Sequence, residues 1–457
     1  MCNALFERVD QTVERAGVTD AGAKRVAGFP WLRITRPLTS FRDELDTPAR
    51  RAAWLERLAG VDAEGRRHEL ANLPSASRTE LAGAWRVAAT GTPLPATLEV
   101  GLADCRTRLN EALARNPEPM QNLVEAAAPF DEYLVSHRVL GLYPITRHFV
   151  LPRIAGHQAA RRAAIARTPD AGTAFLRHAV PEPPAVTAPV PADLERDALG
   201  IPRPDRVQLS RLFSRNAPVW AVETRSDADL PGALVAADGR PVADTARPAE
   251  YRHWSWTRFR GEVLIQLSYV IWFPERPPED SVDIYAGHLD GLVWRVTLRN
   301  DGSPLAYESI HPCGCYYTVF PAAGWRVRPP PGSEPVLAPA VAPEPAPGER
   351  VLVRLESRTH YVAGVATTSR THPRAAALAP LPLSSLRSLP RPDGTRTSAF
   401  DADGLIPSSR RPERFLLWPL GVRSPGAMRQ WGTHAIAFIG KRHFDDPWLL
   451  DRLLEAE

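Results

Sequence analysis

Hydrophobic positions recur at helical spacing through the first third of the chain and at a spacing of two after about residue 205. Leu5, Val9, Val13 and Val18 follow the helical period, as do Trp54, Leu55, Leu58 and Val61 after Thr47-Pro48, a capping residue and a first-turn proline. Further helices are expected over Leu94–Leu113, ended by Asn116-Pro117, over Asn122–Ala127 and over Gly156–Ile165. Between them, Tyr133–Val150 is aromatic and apolar with a break at Tyr143-Pro144, and Phe29–Leu32 reads as an apolar plug in a loop.

The later pattern is that of strands. Gly261–Phe273 is β-branched and aromatic and is stopped by Pro274, and Pro218–Glu223 is a shorter strand. Gly291–Arg299 alternates, Asn300-Asp301-Gly302 has turn chemistry, and Leu305–Ile310 returns as its hairpin partner. Cys315–Phe320 reads as a further strand. Val351–Val365 reads as a hairpin or as one long strand through His360, and Trp448–Leu454 as a short terminal helix. The expected fold class is α+β: a helical N-terminal half followed by an antiparallel, sandwich-like β-rich C-terminal half.

Proline sets the expected boundaries. The 47 prolines of the 457 residues are about twice the usual share and argue against a helical bundle. They concentrate in residues 180–204, read as a linker between a helical domain (1–179) and a β-rich domain (205–457), and again in a Pro/Ala-rich loop at 329–347 that is expected to be exposed.

Charge excludes more than it suggests. A net charge of +4, with arginines interleaved among acids, gives no basic stripe for nucleic acid. No apolar run reaches the roughly 18 residues of a transmembrane helix. Neither a phosphate-binding G-x-x-x-x-G-K-[ST] loop nor a G-x-G-x-x-G turn occurs, so no nucleotide cofactor is expected, and G-x-S-x-G and H-E-x-x-H are also absent.

Chemistry concentrates in His311-Pro312-Cys313-Gly314-Cys315, which carries two of the chain's four cysteines. Thiolate and imidazole favour zinc, copper or iron, so His311, Cys313 and Cys315 are candidate ligands, with His288 and His360 to complete the set. Glu308 and Asp290 are the neighbouring carboxylates that could serve as general base. The spacing matches no strong zinc signature, and the same segment also reads as a strained dithiol, a structural disulfide or a buried turn. Cys105, in a helical pattern, is expected to be a free buried thiol. The aromatic residues Trp254, Trp256, Tyr269, Trp272, Trp294, Tyr316 and Trp325 read first as core, and second as a cleft for a small-molecule or lipid-like ligand.

Two functions compete at this level. One is a metal-dependent enzyme, hydrolytic or oxidative, built around His311, Cys313 and Cys315. The other is a non-catalytic bacterial envelope lipoprotein or ligand-binding protein in which the two cysteines are structural. The second draws on Met1-Cys2-Asn3, which matches a chain whose signal has been replaced by methionine before a lipid-bearing cysteine. It places the protein in the periplasm or on a lipid anchor at Cys2; without a trimmed signal the expected location is the cytoplasm. Oligomeric state is not legible.

Overall fold

The computed structural model describes residues 2–88, 97–167, 173–181, 187–371 and 374–457. The chain is α+β, with its long helices before residue 167 and its large sheets after residue 174. Leu94, the first residue of one expected helix, lies outside the described residues, as do residues 182–186 of the proline-rich stretch.

The first helix, Cys2–Arg15, buries Phe6, Val9 and Val13 along one stripe. The helix Pro48–Asn72 is started by Thr47, whose side chain accepts from the Arg50 amide at 3.2 Å. Its apolar periodicity stops at Val61 for a physical reason: the next turns bury Asp62, Arg66 and Glu69 instead. These enclose Arg33, which donates to Asp62 at 3.2 Å and to Glu69 at 2.7 Å. Arg33 lies in Phe29–Ile34, which is a strand paired with Lys24–Val26 and not the loop plug read from Phe29–Leu32. Trp31 and Leu32 do pack in the core as expected.

Cys105 is buried, but it is not free: it is disulfide-bonded to Cys2. A sulfur so engaged has no valence left for a thioether-linked lipid, so the two are alternatives at this atom.

The β-rich part is two facing sheets. The larger has six strands in the order Thr318–Pro321, Pro304–Ile310, Gly287–Leu298, Glu262–Arg276, Ala249–Phe259 and Ala379–Pro382, antiparallel except at the last pair. The smaller has five: Val362–Ser369, Glu349–Leu355, Val219–Glu223, Phe175–Ala179 and Ala376–Ala377. Ile265, Leu267, Tyr269, Ile271 and Phe273 face the smaller sheet and pack with its Trp220 and Val353. Leu264, Val270 and Trp272 point the other way and pack with Met428, Phe444 and Leu450 of the C-terminal segment. Burial on both faces is why this strand reads as a continuous apolar run and not an alternation.

The Gly291–Arg299 hairpin is present as expected. Val351–Val365 resolves as a hairpin whose turn holds His360. Cys315–Tyr317 is not strand; pairing begins at Thr318. The expected exposure of residues 329–347 is overturned in part. Val336, Leu337 and Ala342 are buried, and Leu337 O and the Ala342 amide bond to Val319 and Pro321, so this stretch covers the sheet's edge strand.

Candidate functional site

At one end of the sandwich the sheets present a cluster of buried polar groups. Asp290, on the Gly287–Leu298 strand, is opposite Phe273 and wholly enclosed. His311 follows the end of Pro304–Ile310 directly. Its Nδ1 is 3.0 Å from Asp290 Oδ1. His360 reaches the other oxygen from the smaller sheet, with Nδ1 2.9 Å from Asp290 Oδ2. Arg411 donates to Asp290 Oδ1 at 3.3 Å and to Leu289 O at 3.0 Å.

The two histidines have opposite electrostatics. His360 lies between two carboxylates: its Nε2 is 3.5 Å from Asp229, and its ring stacks on Phe273 at 3.8 Å. Burial opposes its charge, but bonding to Asp229 and Asp290 prevails and raises its pKa, which favours the charged ring. His311 is lowered, because burial outweighs the attraction of Asp290, and its ring stays neutral. Asp290 is held well below the usual carboxylate range: burial alone would raise it, but His311 and Arg411 prevail. A neutral ring whose Nδ1 proton is given to Asp290 leaves a lone pair on Nε2. That atom is buried and has no hydrogen-bond partner.

Around this ring stand Tyr316 and Tyr361, with ring centroids 4.9 and 5.4 Å from that of His311. Arg276 ends the Glu262–Arg276 strand and donates to Tyr361 Oη at 3.0 Å and to Tyr316 Oη at 3.5 Å. Burial raises both phenols, so both remain protonated donors. Glu413 is pushed up to about 7 by burial, against the pull of Arg411 and Arg276. Arg276 Nε and two nitrogens of Arg411 are buried and without partners. His157 and Arg161, from the helix Tyr143–Ala166, close over Tyr361 at 5.5 and 4.7 Å.

The backbone around the cluster is strained. Leu289, Tyr316, Arg358 and His360 all have positive φ, between 52° and 67°, which non-glycine residues rarely adopt. The His311–Cys315 turn is closed by the His311 amide on Cys315 O at 3.1 Å. Arg429 fixes it from outside through Pro312 O and Cys313 O. Gly314 has φ +90°, and a Cβ there would stand 2.3 Å from Ala435 O, so only glycine fits.

Cys313 and Cys315 are both free thiols. The Cys315 amide donates to Cys313 Sγ at 3.4 Å. Burial would raise Cys313, but the Cys315 thiol and the Arg411 charge lower it; Cys315 is raised well above its usual value by the same thiol contact and by burial.

The structure therefore brings His311, Asp290 and His360 together, with Cys313 and Cys315 on the same turn as His311. It places His288 and Glu308 elsewhere. His288 Nε2 contacts Pro241 O at 2.7 Å. Glu308 lies on the Pro304–Ile310 strand, fully buried, paired to Arg295 at 2.7 and 2.8 Å and accepting from Tyr317 Oη at 2.8 Å. Among the described residues, no group of three or more His, Cys, Asp or Glu is arranged to hold a metal ion. Asp229, Arg276, Tyr361, Arg411 and Glu413 belong to the cluster and were not singled out in the sequence, where they are scattered over about 180 residues.

Of the aromatic residues, Tyr269 and Trp294 are core. Trp254, Trp256 and Trp272 line a cavity of about 720 Å³, together with His253, Trp431 and His434.

No known protein family, no curated protein and no solved structure matches the chain.

Proposed function

We propose that the protein is an enzyme in which His311 is the acid–base group, oriented by Asp290. One observation carries this reading: Nδ1 of His311 is committed to Asp290 while Nε2 is buried and unpartnered. A carboxylate that fixes the tautomer and leaves Nε2 free is the requirement for a histidine base. Tyr316, Tyr361 and Arg276 are the donors for an oxygen that gains negative charge, and a low-dielectric site strengthens such donors. The unpartnered nitrogens of Arg276 and Arg411 favour a substrate bearing a carboxylate. The reaction class is proton transfer or hydrolysis at a small carbonyl compound. The Cys2–Cys105 disulfide favours an oxidising compartment such as the bacterial envelope.

A second reading keeps a metal at the same atom. A histidine that gives its other nitrogen to a carboxylate is also the usual arrangement of a metal ligand, and two free thiols lie on the same turn. Elemental analysis separates the readings. A near-stoichiometric transition metal, lost in Cys313→Ser and Cys315→Ser, favours the metal.

The acid–base reading is tested with chromogenic carboxylic esters and with solvent deuterium exchange at the α-position of small keto acids. Turnover by the wild type is expected, with His311→Ala slowed by at least about a hundredfold. Equal turnover by His311→Ala rules the reading out.

A further inference from the structure

We infer that the surface formed by the helices Val135–Leu140 and Tyr143–Ala166 and the short helix Arg414–Leu417 docks onto an anionic lipid bilayer. The surface is apolar far beyond what a polar environment favours. Leu140 and Phe149 are 74% and 73% exposed, and Phe415 and Leu416 are 66% and 63% exposed. Val139, Leu142 and Ile145 extend the same patch and are also exposed. Single exposed apolar residues are ordinary, but a contiguous group of large ones marks a contact surface.

One turn ties the three helices to each other. The turn Trp418–Leu420 that follows Arg414–Leu417 packs against both helices. Arg138 donates to Leu420 O at 3.0 Å, and a Cβ on Gly141 would meet Pro419 at 2.3 Å. On the helix Tyr143–Ala166, Ile145 and Phe149 stand one turn apart, with Leu142 beside them. Arg153 follows one turn beyond Phe149.

Charge selects the occupant. Residues 133–169 contain six arginines and no aspartate or glutamate. Arg147, Arg153, Arg162 and Arg414 make no ion pair with any described acidic residue. Arg153 flanks the Ile145–Phe149 stripe and Arg414 stands next to Phe415, whereas Arg147 and Arg162 project from other sides of the helix. Unpaired arginines at the edge of an apolar stripe are the arrangement of a helix that lies in the headgroup layer of an anionic membrane. No helix among the described residues is long and apolar enough to cross one, so the contact is peripheral. A second copy of this chain would bring the same arginines against each other, which disfavours a symmetric dimer on this face.

The test is co-sedimentation of the full chain with phosphatidylcholine vesicles containing about 30 mol% phosphatidylglycerol, compared with pure phosphatidylcholine vesicles. Wild type is expected to pellet with the anionic vesicles, to stay in solution with the neutral ones, and to be released in part by about 0.5 M salt. Leu140→Glu/Phe149→Glu is expected to weaken binding by at least about tenfold, and Arg153→Gln/Arg414→Gln by a similar factor. If the glutamate pair melts at a lower temperature than wild type, Leu140→Ser/Phe149→Ser and the arginine pair are read in its place. Wild type that remains in solution with anionic vesicles overturns the proposal. So does a wild-type dimer that the Leu140/Phe149 variants convert to monomer without any effect on vesicle binding.

Discussion

The ring of His311 and the carboxylate of Asp290 meet at 3.0 Å inside the protein, both buried. That single bond decides where the imidazole proton sits. It also leaves Asp290 as the shared acceptor of His311, His360 and Arg411, so removing its charge affects all three. Asp290→Asn is expected to lower stability by about 3–5 kcal/mol, because it strands the buried Arg411 guanidinium and removes one of the two carboxylates that face His360. Urea unfolding measures this, and a loss below about 1 kcal/mol contradicts the geometry.

Glu413 gives a pH dependence of known sign. Its folded pKa, about 7, lies above the unfolded value near 4.5, so the folded state holds its proton more tightly. The stability this contributes is full below pH 4.5 and is lost as pH rises through 7. Glu413→Gln, which stays neutral, is therefore expected to be more stable than wild type at pH 8. The gain is on the order of 3 kcal/mol at about 1.36 kcal/mol per unit. The two proteins should converge at about pH 4, below the unfolded value. A constant difference across this range would show that the carboxyl is not buried as described.

Buried His68, His178 and His434 and half-buried His253 act in the opposite direction. His253 and His434 are pushed down to about 3, and His68 and His178 to about 4, all chiefly by burial. Each contributes stability above its unfolded pKa of about 6.5 that is lost as pH falls toward the folded value. His360 and Glu413, both raised, work against this but are two residues against four. The melting temperature is expected to fall by on the order of 10 °C or more between pH 7 and pH 4, monitored by calorimetry. A flat profile contradicts the burial of these rings.

The Cys2–Cys105 bond spans 103 residues of sequence. A loop of that size restricts the unfolded chain strongly, and Cys105→Ser is expected to cost about 4 kcal/mol. Denaturant midpoints with and without reductant check this. If wild type and variant unfold alike under non-reducing conditions, the bond does not form.

Much of this architecture is written locally in the chain. The Thr47-Pro48 helix start, the Asn300-Asp301-Gly302 hairpin and the Glu262–Arg276 strand all follow from neighbouring residues. The His311–Cys315 turn supplies His311 to the cluster; Asp290, read from the sequence as a general base, and His360, read as a metal ligand, are two more of its members. Their relation was not legible, because it depends on the register of the Gly287–Leu298 strand and on a turn from the other sheet. Asp229, Arg276 and Arg411 carry no local mark, since nothing in their immediate neighbours distinguishes them from surface charges. The strand at Phe29–Ile34 was missed because its interior side chain is Arg33, which pairs with Asp62 and Glu69 on a helix distant in sequence.

The most direct measurement is the protonation of His311 itself. A long-range proton–nitrogen correlation spectrum of the labelled protein, with His311 assigned by His311→Gln, distinguishes the two ring nitrogens at pH 7. Expected are a proton on Nδ1, a bare Nε2, and loss of that pattern in Asp290→Asn. A proton on Nε2, or a doubly protonated ring, would contradict it.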